Sequence, residues 1–142
     1  FFSGRNSRLD TIQAGILNIK LKNYKKVIDK RNYLARIYLN ELKNINKIKL
    51  FNLKKHNQYA FHQFVIRINQ RNQIKKYLYK KGIDTMVHYP YMLNELKFFT
   101  KAKLINTKNL GNKILSLPIS EEHTVKQIQY IAKSIKRFFE LN

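Results

Sequence analysis

Gly4-Arg5-Asn6-Ser7-Arg8-Leu9-Asp10-Thr11-Ile12-Gln13-Ala14 decides how this chain is read, because a polar loop with two cations and an amide leads into a periodic helix. Unpaired backbone N–H groups at a helix start, together with the helix dipole, favour a phosphate or carboxylate there. The same residue types also build ordinary surface or interface salt bridges. From Leu9 onward apolar side chains return every three or four positions, at Leu9, Ile12, Ile16 and Ile19, as one face of an amphipathic helix requires. A second stripe continues through Val27, Leu34, Tyr38 and Leu42, with Lys25, Lys26, Lys30 and Arg36 largely off it. Together they predict one helical arm from about Leu9 to Leu42, long or kinked, with a candidate break near Asn23. Such an arm cannot bury its stripe alone.

Beyond the arm the period changes. Asn44 to Gln58, rich in Asn and Lys, reads as a short strand or loop crossing between subdomains. Phe61 to Ile68 alternates, with His62, Phe64, Ile66 and Ile68 on one face and Phe61 and Val65 on the other, which predicts a strand buried on much of both faces. His62 is thereby expected in the interior. A short helix follows with Ile74, Tyr77 and Leu78 inward, and Gly82 suits its left-handed C′ position. Asp84 to Tyr89 reads as a second strand, stopped at Pro90 because proline cannot donate to a ladder. Leu115-Ser116-Leu117 is a further short strand before Pro118. In the last helix Thr124 and Gln127 have capping-box spacing, and Val125, Ile128, Ile131, Ile135 and Phe138 form the buried stripe. The pattern is α/β: a long helical arm and the end of a larger domain over residues 1–45, then a small C-terminal α/β domain over residues 46–142.

Composition narrows the functional classes. At 142 residues and 44% hydrophobic content the chain suffices for one core. It has no Cys, hence no disulfide, thiol nucleophile or thiolate metal site, which accords with a cytoplasmic protein. No uncharged apolar run approaches the roughly 20 residues of a membrane span, and no signal-peptide pattern opens the chain. The net charge of +21 points toward anionic partners. Yet only seven of the 29 basic residues are Arg, and the Lys are scattered through every segment, as on solvated faces. Without an RNP-like aromatic motif, zinc-finger spacing or an Arg-rich tail, the sequence argues against nucleic acid as the partner. Four scattered His and eight acidic residues predict no metal cluster, and Ser116 and Ser120 lack the Gly-flanked elbow of a nucleophile.

The opening block resembles the Gly-x-Asn-x-Arg-Leu/Met-Asp-x-Ile-Gln-Ala signature of the DegT/DnrJ/EryC1/StrS sugar aminotransferases, matching at Gly4, Asn6, Arg8, Leu9, Asp10, Ile12, Gln13 and Ala14. Three further segments are similar to that family in its order: His62-Gln63-Phe64-Val65-Ile66-Arg67, Lys81-Gly82-Ile83-Asp84-Thr85-Met86-Val87-His88-Tyr89-Pro90, and Ile114-Leu115-Ser116-Leu117-Pro118-Ile119-Ser120. The resemblance implies the C-terminal part of a fold-type-I pyridoxal phosphate transferase. Members of that family are more than twice this length and carry their Schiff-base lysine upstream of the Gly-x-Asn-x-Arg block. The expectation is therefore a C-terminal portion without the catalytic lysine, inactive alone, opening on Phe1-Phe2 rather than Met.

For site residues the resemblance implies that Asn6 reaches across a homodimer to the cofactor phosphate of the neighbouring subunit, where a neutral amide donates at little desolvation cost. Asn6 as a helix cap is the plainer alternative. Arg8 is expected to contact the substrate diphosphate, which its planar fork fits, or to pair with Asp10 or a partner carboxylate. His88, where a strand ends before Pro90, is expected on the substrate side of a cleft. Tyr89 is expected to pack on the opposite face, and His56 and His123 to be exposed loop residues. The family carries a second His soon after His-Tyr-Pro, whereas Tyr91-Met92-Leu93-Asn94 stands here, which leaves sugar specificity open. The activity implied is transfer of an amino group, usually from glutamate, to a keto sugar linked to a nucleotide, for amino-sugar or surface-polysaccharide biosynthesis. Two rivals remain: a noncatalytic basic nucleic-acid-binding module, and a degenerate remnant that folds poorly.

Overall fold

In a computed structural model, which describes residues 7–54, 59–92, 95–96 and 104–141, the arm is one unbroken helix, α1 (Thr11–Leu42), of 32 residues. At 1.5 Å per residue that is about 48 Å of helix. The expected break near Asn23 is absent, since Asn lowers helix propensity only slightly and no proline or Gly–Ser pair interrupts the ladder there. Asp10 is the N-cap: its carboxylate accepts from the Gln13 amide at 2.8 Å and its carbonyl from the Ala14 amide at 2.9 Å.

The arm has two unlike parts. Leu34, Ala35, Tyr38 and Leu42 are fully buried and belong to the core, whereas Leu9, Ile12, Ile16, Ile19 and Leu21 are exposed, Ile12 by 78%. The N-terminal stripe thus has no cover within the described residues, as a helix that cannot bury its own stripe requires.

β1 (Ile48–Lys49), β2 (Phe64–Ile68) and β3 (Ile114–Leu117) form one antiparallel sheet in the order β1-β2-β3. Ile48 pairs with Ile68, and Phe64 and Ile66 pair with Leu117 and Leu115, so one face is continuously apolar. β2 is shorter than the alternation suggested. Phe61 lies at φ 44, in the left-handed region, and this ends the extended run before Phe64. His62 falls in that turn and is exposed, not interior. Phe61 itself is buried among Phe51, Tyr59 and Phe64, with ring centroids 5.7–6.4 Å apart.

α2 (Arg71–Lys80) buries Ile74 and Leu78 and ends as the sequence indicates. Gly82, at φ +72, donates to Tyr79 O while Ile83 donates to Leu78 O, both at 3.0 Å, the paired bonds of a Schellman motif. The Asp84–Tyr89 segment is not a full strand. Met86 alone bridges to Ser116, with amide–carbonyl distances of 3.1 and 2.8 Å. α3 (Ile105–Gly111), which the sequence reading missed, has neither a side-chain cap nor an acidic first turn to announce it. α4 (Val125–Glu140) carries the full capping box at Thr124 and Gln127 and buries Ile128, Ile131, Ile135 and Phe138.

α4 packs on α1 and α2, and the sheet lies beneath, so all elements but α3 share one core. Removing the capping hydroxyl by Thr124→Ala lowers the unfolding free energy by about 1 kcal/mol. Urea denaturation reads this directly, and Asp10→Ala, at the uncovered end of the arm, costs the core less.

Candidate active site

The sheet presents one polar residue where it meets the Met86 bridge. Ser116 is buried in β3, its backbone paired with Met86 on one side and Val65 on the other, and its hydroxyl lies 2.9 Å from Nδ1 of His88. This contact fixes the imidazole by one nitrogen and leaves Nε2 as the ring nitrogen to face a ligand. His88 is half-buried, and its ring meets that of Tyr89 edge-on at 5.7 Å. Tyr89, expected to pack, is instead 70% exposed, because only Met86 in this segment is held to the sheet.

The cleft in front of His88 has a volume of about 220 Å³ and is bordered by His62, Gln63, Asp84, Met86 and Ser116. That is below the roughly 300 Å³ at which clefts begin to enclose a small ligand, so a further surface is needed to complete it. A larger groove of about 580 Å³ runs between α1 and the small domain, bordered by Ile19, Tyr24, Ile28, Arg31, His62 and Glu121. His62 borders both, joining the arm groove to the His88 cleft. Sequence periodicity placed His62 in the core. The signal that would have corrected it was the aromatic run around Phe61, which needs its own side of the chain.

The arm is braced by Arg31 to the segment between β3 and α4. Its Nε and Nη2 both reach the same Glu121 oxygen at 2.8 Å. Glu121's own backbone amide and then Arg31 stabilise the carboxylate and hold it below the usual glutamate range. Asn32 adds a second tie, its amide donating to Tyr59 O at 2.7 Å, and the Tyr38 hydroxyl donates to Pro118 O at 2.8 Å. Burial pushes the Tyr38 phenol well above its ordinary range, so it remains a neutral donor.

Of the residues expected at the site, Asn6 lies outside the described residues, as do Leu93 and Asn94 of the departing segment and His56. Arg8 is exposed at the start of the arm, and among the described residues it makes no ion pair with Asp10, whose carboxylate is engaged as the helix cap. That cap also fills the position an anion would take at this helix end. His123, expected exposed, is half-buried, with Nδ1 2.7 Å from Ser120 Oγ. Arg8 and His88 are thus on separate elements, with the arm groove between their regions. Only Lys20 among the lysines borders either cavity, and it is exposed on α1. The described residues therefore do not fit a complete site for a lysine-held cofactor. Among the described residues no group of three metal-ligating side chains occurs, and no helix is long and apolar enough to cross a membrane.

An arm helix, an antiparallel layer and a histidine cleft open on one side are what the described residues present. The match to known proteins gives the family: residues 2–136 fit the DegT/DnrJ/EryC1/StrS aminotransferase family profile, and the chain belongs to that family. It is 29% identical over 140 residues to a dTDP-3-amino-3,6-dideoxy-alpha-D-galactopyranose transaminase of Aneurinibacillus thermoaerophilus, covering 96% of this chain and 38% of that protein. It is 31% identical over 137 residues to a UDP-N-acetyl-3-dehydro-alpha-D-glucosamine 3-aminotransferase of Acidithiobacillus ferrooxidans, covering 94% of this chain and 37% of that protein. Its fold superposes on DesV of S. venezuelae with a TM-score of 0.88 at 27% identity, over 95% of this chain and 38% of that one. The chain thus spans about 38% of the length of the relatives it matches, and its fold is that of their C-terminal portion.

The Arg31–Glu121 brace gives a pH dependence of known sign. Because the folded carboxylate is held below its unfolded value, the unfolded state binds more protons, and the contribution present near neutrality is lost as pH falls through the folded value. Denaturation midpoints of the parent and Glu121→Gln differ at pH 7 and converge as the pH drops below about 4, the ordinary glutamate range.

Proposed function

We propose that this chain is the C-terminal portion of an enzyme that transfers an amino group, with glutamate as donor, to a keto sugar linked to a nucleotide. The observation that carries this reading is His88, held by buried Ser116 at a cleft too small to close by itself, in a chain whose family profile spans residues 2–136. Relatives named as dTDP- and UDP-sugar transaminases support the substrate class. The product class is an amino sugar for surface polysaccharides, made in the cytoplasm.

Pyridoxal phosphate, bound mainly by residues outside this chain, supplies the electron sink that makes amino transfer feasible. This chain's residues act around it. Asn6 donates its amide to the cofactor phosphate of the neighbouring subunit in a homodimer, and Arg8 receives the substrate diphosphate with its guanidinium fork. His88 meets the sugar with Nε2, oriented by the Ser116 hydroxyl at Nδ1. Residues 1–45 carry the arm that bridges the two subunits, and residues 46–142 form the small domain that covers the sugar. The exposed Leu9, Ile12, Ile16 and Ile19 stripe is the surface that this assembly buries.

In the intact protein, Arg8→Ala and His88→Ala each raise KM for the nucleotide sugar about tenfold or more, the loss of one charged or well-placed hydrogen bond. Asn6→Ala leaves that KM nearer the parent value and weakens retention of the cofactor instead. Steady-state amino transfer with the cofactor in excess separates the two effects. Parent-like KM values for both Arg8→Ala and His88→Ala would remove them from the site.

A further inference from the structure

Several of the surface cations have a local partner. Lys25 meets Asp29, Arg31 meets Glu121 and Lys136 meets Glu41, while Lys30, Lys47 and Lys81 lie over the rings of Tyr33, Phe139 and Tyr77. A different arrangement occurs at the β1 edge of the sheet. There a concavity of about 650 Å³ is bordered by Lys47, Lys49, Arg67 and Lys113, with Asn46, Asn69 and Gln70 between them. Among the described residues no carboxylate borders it, and of its four cations Lys47 has a ring contact, its Nζ 5.5 Å from the centre of Phe139.

Sheet register holds these cations together. Ile66 and Ile68 are buried, so alternation turns Arg67 to the other face of β2. Lys49 of β1 stands directly opposite Arg67 in the antiparallel pair. Like charges directly opposed on a sheet destabilise the pairing. Lys113 is brought alongside because its carbonyl accepts from Ile68 N at 2.7 Å, which ties the approach to β3 against the end of β2. α2 begins at the rim, and its dipole adds potential of the same sign. The concavity shares no bordering residue with the His88 cleft.

We propose that this concavity is an anion site for a small ligand carrying two or more phosphate groups, separate from the His88 cleft. A guanidinium fork, three ammonium groups and neutral amide donors match several phosphate oxygens at once. The volume suits a ligand of that size. Among the described residues no aromatic side chain borders the concavity, and the Phe139 ring is taken by Lys47, which argues against a nucleic-acid strand, whose bases need faces to stack on.

Calorimetric titration of the intact protein with inorganic pyrophosphate at fixed ionic strength tests this. Saturable binding is expected, weakened about tenfold or more by Arg67→Gln and by Lys49→Gln, since each removes a charged hydrogen bond. Lys126→Gln on α4 binds as the parent does, and Arg8→Ala, which removes the guanidinium proposed for the substrate diphosphate, keeps the binding that depends on Arg67 and Lys49, which separates this site from the proposed amino-transfer site. Without ligand, Lys49→Gln raises the thermal midpoint by relieving its opposition to Arg67. No saturable pyrophosphate binding, equal binding by the Arg67 and Lys49 variants, or preference for an RNA oligomer over pyrophosphate would each overturn the proposal.

Discussion

Burial of the last turns of α1 is the constraint on which the rest depends. Leu34, Ala35, Tyr38 and Leu42 enter the same core as the sheet and α4, and Tyr38 closes it by stacking on Phe64 at 4.6 Å and donating to Pro118 O. A buried phenol needs such an acceptor, because leaving it unpaired costs about 1–3 kcal/mol. Through that anchor a helix of 32 residues is held as one rod, with its N-terminal apolar stripe in the open among the described residues. Position at the far end follows from packing at the near end. Arg31–Glu121 and Asn32–Tyr59 set the angle at which the rod leaves.

The sheet presents rather than encloses. It is apolar on the face beneath the helices and mixed on the other, where Val65 and Ile114 lie beside Arg67 and Ser116 and Ser116 holds His88. The cleft at His88 and the groove along α1 share His62 as a bordering residue. That geometry accords with a chain spanning about 38% of its relatives' length. The mixed charge pattern fits the same picture. Several cations of the arm and of α4 have acidic partners, whereas among the described residues the four at the β1 edge have none, Lys47 lying over the Phe139 ring instead.

Much of this was legible in the sequence where local chemistry and packing agree. The capping box at Thr124, the glycine stop at Gly82 and the apolar stripe of α4 are each written in neighbouring residues, and each forms as read. The Asp10 cap was legible too, from Asp10 and Gln13 at capping distance, but Asn6 drew the reading instead. What could not be read depends on contacts far apart in the chain. His62 leaves the core because Phe61 takes the interior place, and Asp84–Tyr89 shrinks to the Met86 bridge because little but Ser116 pairs with it. α3 has too little periodicity in seven residues to stand out. Of the site, the family blocks pointed to His88, while its Ser116 support required the β3 register.

We propose that the arm carries Arg8, like Asn6, to the active site of a neighbouring subunit. The most direct measurement is complementation, at nucleotide-sugar concentrations well below KM, between two impaired forms of the intact protein, one with Arg8→Ala and the other with the cofactor-binding lysine replaced. Mixed and allowed to exchange subunits, a two-fold dimer with shared sites regains roughly a quarter of the parent activity, since half of the dimers are hybrid and each hybrid holds one whole site. Recovery at that level is the predicted result. A mixture that stays as impaired as its components, with exchange shown to be complete, would place Arg8 in its own subunit's site and contradict the account.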